Sequence, residues 1–124
     1  MEKTTQGRLV SIVDDDRGIR QALEALMRSA GLSAEAFASA EDFLASGRLE
    51  QTACLVLDVQ LPRMTGLELQ KHLVDAGASV PIVFITAFEE DHVRTAAIDN
   101  GAVAFLNKPL CRGILLSCVQ AIIG

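Results

Sequence analysis

Cys54-Leu55-Val56-Leu57-Asp58-Val59-Gln60-Leu61-Pro62-Arg63-Met64-Thr65-Gly66-Leu67-Glu68-Leu69 decides how the rest of the chain is read. Its first four residues form a short apolar run bounded by polar sequence, which predicts a buried strand ending on the carboxylate of Asp58. A loop containing proline follows. Thr65 can then cap a helix that carries Leu67, Leu69, Leu73 and Val74 and closes at Gly77.

The same unit recurs in both directions. Upstream, Leu9-Val10-Ser11-Ile12-Val13 reads as a strand that stops at Asp14-Asp15-Asp16, and Ile19, Leu23, Leu26 and Met27 recur at helical spacing as far as Gly31. Residues 33–38 make a weaker strand. Ser39 with Asp42 gives a capping-box start to a short helix through Phe43 and Leu44. Downstream, Pro81 introduces the strand Ile82 to Ile85, which ends at Thr86. A helix from Glu89 to Asn100 carries acids in its first turn, where the helix dipole favours them. Val103 to Leu106 is a fifth strand ending at Asn107-Lys108-Pro109. Leu110 to Ile123 is helical in pattern and apolar nearly all round. Strands alternating with helices over short connections imply one α/β domain over residues 1–124, a doubly wound parallel sheet covered on both faces.

Composition agrees with this and removes several classes. The chain has 124 residues, half of them apolar, and a net charge of −5. That is enough for a core without disulfides, and it lacks the basic excess of a nucleic-acid binder. Cys54, Cys111 and Cys118 have neither CxxC nor zinc spacing and read as apolar packing in a reducing compartment. The polar start, Met1 to Arg8, has no signal-peptide core, and no apolar run approaches the roughly 20 residues of a membrane span. A soluble, cytoplasmic protein is the expectation.

The strand ends carry the chemistry. In an open parallel sheet, ligands bind beyond the carboxyl ends of the strands, where strand order reverses. With the order 2-1-3-4-5, Asp14, Asp15, Asp58, Thr86 and Lys108 would line one crevice. Clustered carboxylates are costly unless protonated or offset by a cation. Oxygen ligands without His or Cys suit a hard ion, Mg²⁺ or alternatively Mn²⁺. An Asp carboxylate is a competent nucleophile for phosphoryl groups, and a metal, a Lys and a hydroxyl are what the spreading transition-state charge requires. Each residue alone has a plainer reading: the Asp triplet as a helix start, Asp58 as a turn residue, Lys108-Pro109 as a solvated turn. Their occurrence together at successive strand ends favours the site.

Val13-Asp14-Asp15-Asp16, the Leu57–Leu69 stretch, Phe84-Ile85-Thr86-Ala87, Gly101-Ala102 and Phe105-Leu106-Asn107-Lys108-Pro109 together resemble the receiver domain of two-component response regulators, over residues 8–123 and in the style of the FixJ/NarL branch. The resemblance implies a flavodoxin-like (βα)₅ fold and a phosphoacceptor, Asp58, served by a sensor histidine kinase. It implies Mg²⁺ held by Asp15, Asp58 and the Gln60 carbonyl, with Asp14 acting through water. Thr86, Ala87 and Lys108 would serve the phosphoryl group, Phe105 would be the aromatic switch, and Pro62, Gly66 and Pro109 would shape the loops. Asp16 would only start a helix. The Lys108–Pro109 bond is expected to be cis.

The implied protein is an acceptor with slow autodephosphorylation, not an enzyme turning over free substrate. It would dimerise through residues 89–123 when phosphorylated and reach DNA only through a C-terminal helix-turn-helix domain not included here. This chain departs from the usual pattern at Leu61, at Phe88 near the site mouth, and at Cys111-Arg112-Gly113, which opens the last helix without acids. Three rivals fit worse: against an interaction-only receiver that no longer accepts phosphate stands the intact residue set, and the other two fail on sequence. A haloacid-dehalogenase-type phosphatase needs Asp-Xaa-Asp followed by Thr or Val, and a flavodoxin-like FMN binder would not place an acidic triplet in its phosphate loop.

Overall fold

Short apolar runs at residues 9–13, 54–57 and 82–85, containing β-branched residues and too short for helices, become strands of a single parallel sheet, joined by the less apolar 33–37 and by 104–107. The computed structural model describes residues 8–88 and 90–124. Within these, β1 is Leu9–Val13, α1 Arg17–Ser29, β2 Ser33–Phe37, α2 Ala40–Ala45, β3 Thr52–Asp58, α3 Gly66–Asp75, β4 Ile82–Thr86, α4 Asp91–Asp99, β5 Ala104–Asn107 and α5 Arg112–Ile123. The sheet order is β2-β1-β3-β4-β5. Val13 pairs with Phe37 and Leu57, Asp58 with Ile85, and Thr86 with Asn107. The carboxyl ends of β1, β3, β4 and β5 therefore lie side by side.

Alternation along the strands sends successive side chains to opposite faces. Leu55, Leu57, Ile82, Phe84 and Phe105 pack with Phe43 of α2, Leu69 and Leu73 of α3 and Ala97 of α4. Val10, Ile12, Val56, Val83 and Ile85 pack on the other face with Leu23 and Met27 of α1 and Leu115 and Val119 of α5. The sheet is thus covered on both sides, which is why its central strands read as continuous apolar runs.

Most element limits match the sequence reading within the play expected at element ends, and the differences have physical causes. β3 begins at Thr52, two residues early, because Thr52 is buried with Ser11 Oγ 2.7 Å from its Oγ1, a polar pair that apolar patterning cannot register. A 3₁₀ turn at Leu49–Gln51 leads into it. β5 begins at Ala104, leaving Val103 exposed. α4 begins at Asp91 with Glu90 at its N-cap; the expected first-turn acid Glu89 and the polar start at residues 1–7 lie outside the described residues. Only half of the capping box expected at Ser39 forms, with Ser39 Oγ accepting from Asp42 N–H; the full box is at Thr65 and Glu68. α5, apolar nearly all round in the sequence, packs Leu116, Cys118, Ile122 and Ile123 against the core and leaves Ile114 exposed. Among the described residues no helix is long and apolar enough to cross a membrane.

Candidate functional site: a carboxylate cluster at the strand ends

Three strands deliver the charged groups. β1 runs into Asp14 and Asp15, β3 ends on Asp58, and the backbone of Lys108, just past β5, continues the sheet by donating its N–H to Thr86 O at 2.7 Å. One carboxylate oxygen from each of Asp14, Asp15 and Asp58 can be chosen so that all lie within 4.8 Å of one another. Asp14 and Asp58 are buried; Asp15 is exposed at the mouth.

Local hydrogen bonds fix the two buried carboxylates. Asp14 Oδ1 accepts from Asp16 N–H at 2.8 Å and Asp58 Oδ1 from Gln60 N–H at 3.0 Å. Their remaining oxygens converge on one ammonium: Lys108 Nζ donates to Asp14 Oδ2 at 3.0 Å and to Asp58 Oδ2 at 3.2 Å. The Lys108–Pro109 peptide is cis, as the resemblance implied. Asp16 caps α1 by accepting from Ile19 N–H, and Arg20 Nη1 donates to the Asp14 carbonyl at 2.8 Å.

The electrostatics follow from this crowding. Burial pushes the Asp58 carboxyl up from 3.8 to about 6; the Gln60 amide pulls it down, the charge of Asp14 pushes it up, and Lys108 pulls it down again. Burial alone would lower Lys108, yet its hydrogen bond to Asp14 and the charges of Asp58 and Asp14 outweigh that and raise it, so it stays cationic. One ammonium faces three carboxylates. The all-oxygen donor set and the surplus negative charge fit a hard divalent cation.

The switch candidates lie on β4 and β5 and in the loop after β4. Thr86 is buried, and its hydroxyl is turned to its own loop: Oγ1 donates to Phe88 O at 3.0 Å and accepts from Phe88 N–H at 3.1 Å. Ala87 and Phe88 are exposed. Phe105 is buried, its ring 6.1 Å from that of Phe84, with the Arg94 guanidinium 5.2 Å above it. Thus Asp14, Asp15, Asp58 and Lys108 are brought together, whereas the Thr86 hydroxyl is engaged elsewhere.

The loop from β3 to α3 explains two further residues. A Cβ on Gly66 would collide with the carbonyl oxygen of Asp58 and lie 2.9 Å from Val59 Cα, so only glycine lets α3 start this close to the site. Gly66 N–H donates to Val59 O at 3.0 Å, while Pro62 and Gln60 are exposed. Sequence reasoning missed Glu41 of α2, whose Oε2 accepts from Met64 N–H at 3.0 Å, and Gln70 of α3, buried, whose Nε2 donates to Ala97 O at 2.9 Å. His72 and His92 are exposed. Cys54 packs in the core, where burial, with a smaller contribution from Cys118, pushes its thiol up to about 12.

Comparison with known proteins agrees with this arrangement. The family model for the response regulator receiver domain matches residues 10–120. The response regulator protein TodT of Pseudomonas putida is 40% identical over 113 residues, 91% of this chain and 50% of its own length. The transcriptional regulatory protein FixJ of Azorhizobium caulinodans is 34% identical over 115 residues, 93% of this chain and 54% of its own. The structure of response regulator StyR superposes with a TM-score of 0.86 at 42% identity, covering 93% of this chain and 58% of that one. This chain spans about half the length of the curated relatives it matches. With the strand order, the strand-end carboxylates and these matches in agreement, the chain belongs to the response regulator receiver domain family.

Proposed function

We propose that this receiver domain is switched by phosphorylation of Asp58. A histidine kinase's phosphohistidine supplies the phosphoryl group; the P–N bond breaks as an Asp58 oxygen forms the P–O bond, giving an aspartyl phosphate. Asp58 is aimed for this by the Gln60 amide on its other oxygen and is ionised at neutral pH, above its pKa of about 6. Asp15, Asp58 and the Gln60 carbonyl would hold Mg²⁺, with Asp14 bound through water. When bound, the ion neutralises the charge that develops on phosphoryl oxygens. Lys108 contributes a second cation, its ammonium shared between Asp14 and Asp58. Thr86 supplies a hydroxyl donor once it leaves Phe88, and the amide of Ala87 lies beside it.

The observation that carries this reading is the single Lys108 ammonium shared between two buried carboxylates within a cluster of three. The modified protein hydrolyses its acyl phosphate slowly and performs no turnover on a free substrate. It is cytoplasmic. Phosphorylation favours a homodimer through residues 89–123, and a C-terminal helix-turn-helix domain in the full-length protein gives transcriptional output. Incubation with acetyl phosphate and Mg²⁺, followed by intact-mass and peptide analysis, tests the core of this. One phosphoryl group on Asp58, absent in Asp58→Asn, is expected; undiminished labelling of the variant would overturn it.

A further inference from the structure

The loop from Val59 to Thr65 is held at its ends by the sheet and by α3, through Val59 N–H to Ile85 O at 3.0 Å and Gly66 N–H to Val59 O at 3.0 Å. Leu61 plugs it into the core between these ends. The tip has less to hold it. Pro62 has no N–H to give, and Arg63 sits at φ 62°, in the left-handed region that a side chain disfavours by roughly 1–2 kcal/mol. A backbone kept in that region needs surrounding contacts that hold it there.

Those contacts come from a different element. Glu41, in the first turn of α2, accepts the Met64 N–H at 3.0 Å on Oε2 and meets the Arg63 guanidinium at 3.5 Å on Oε1. The guanidinium is two-thirds exposed, so that ion pair adds little. The hydrogen bond to the amide is the specific part. Its own backbone N–H and then that of Met64 hold the Glu41 carboxyl below its ordinary range, so it remains an acceptor. Asp42, one residue on, offers the same favourable charge to the helix dipole; the reach to Met64 is what distinguishes Glu41. α2 is itself anchored, by Ser39 at its cap and by buried Phe43.

We infer that Glu41 is a positioning residue for the phosphoacceptor site, clamping the tip of the β3–α3 loop and thereby setting where Gln60 stands beside Asp58. This rests on the proposed metal-dependent phosphorylation and adds to it a residue that touches neither metal nor phosphoryl group. The carboxylates of Asp15 and Asp58 are set by strand ends, whereas a loop carbonyl is only as well placed as its loop. Loss of the clamp should therefore weaken metal capture more than it slows the metal-saturated reaction.

Glu41→Ala and Glu41→Gln separate this from a merely structural role, because the glutamine amide oxygen can accept the same N–H. In metal-free buffer, Met64 amide exchange should accelerate about fivefold in Glu41→Ala, the effect of one such hydrogen bond, and return towards wild type in Glu41→Gln. The Mg²⁺ concentration giving half-maximal acetyl phosphate labelling should rise severalfold in Glu41→Ala and recover in Glu41→Gln. A lower melting temperature with unchanged half-saturating Mg²⁺ would overturn the inference, as would a glutamine variant that behaves like alanine. Wild type that takes up no phosphoryl group would refute the proposed function instead; calorimetric Mg²⁺ titration of the same variants, with the exchange data, would still decide the role of Glu41.

Discussion

The two halves of the molecule begin their helices differently. From β1 to α3, each α-helix has a side-chain cap: Asp16 for α1, Ser39 for α2, and Thr65, in a reciprocal box with Glu68, for α3. From β4 onward, the N-cap residues Glu90 of α4 and Cys111 of α5 make no side-chain cap hydrogen bond. The first half carries the carboxylates of the site. The second carries Thr86, Phe105 and Lys108 and, apart from Val74, the large apolar side chains most exposed to solvent: Phe88, Ile98, Val103 and Ile114. A helix start without a cap leaves backbone donors to water, and such segments open first. The difference separates a half whose helix starts are capped by side chains from a half whose helix starts are not.

The largest test breaks the capped half where it is tightest. Gly66→Ala should cost about 3 kcal/mol in denaturant unfolding, because the new methyl group meets the Asp58 backbone and not a yielding side chain. Thr65→Ala, one residue earlier, should cost only about 1 kcal/mol, the usual effect of removing a cap. Equal losses would show that α3 can retreat from β3 and that the close approach is not enforced.

Charge crowding comes next. Asp58 binds its proton with a pKa of about 6 in the folded protein against 3.8 ordinarily. Between these values the folded state holds more protons at this group than the unfolded chain, so its contribution to stability falls as pH rises through that window. In metal-free buffer, Asp58→Asn should be more stable than wild type at neutral pH, by on the order of 2 kcal/mol, with the advantage vanishing below about pH 4. A variant less stable at neutral pH would mean that the Lys108 contact outweighs burial.

The smallest effect is expected at the uncapped start of α5. Cys111 already has extended N-cap geometry, with φ −82° and ψ 113°. Cys111→Ser should therefore supply the absent cap and stabilise the protein by about 0.5–1 kcal/mol. First-turn amides of α5 should exchange faster than those of α3 in wild type and slow in the variant. Matching protection of the two helices at the outset would remove the contrast.

What could be read in advance divides along similar lines. The strands were legible because both sheet faces are covered, which makes β3 and β4 continuous apolar runs; the carboxylates were legible because they end those runs. Thr65 and Asp16 announce themselves by residue type and spacing. Glu41 and Gln70 do not, since their partners lie 23 and 27 residues away and depend on how α2 and α4 pack. Ser11 and Thr52 satisfy one another across 41 residues, which local patterning cannot foresee. The state of Thr86 was equally hidden: residue type says that a hydroxyl is present, but not which atom receives its proton.

A hydroxyl owns one proton, and Thr86 spends it on the carbonyl of Phe88. Should a phosphoryl oxygen on Asp58 claim that proton, the carbonyl must find another donor or turn to water, and the ring of Phe88, already 61% exposed, goes with it. Two acceptors cannot share one donor at full strength, so charge arriving at β3 would be felt in the chain after β4 as an eviction.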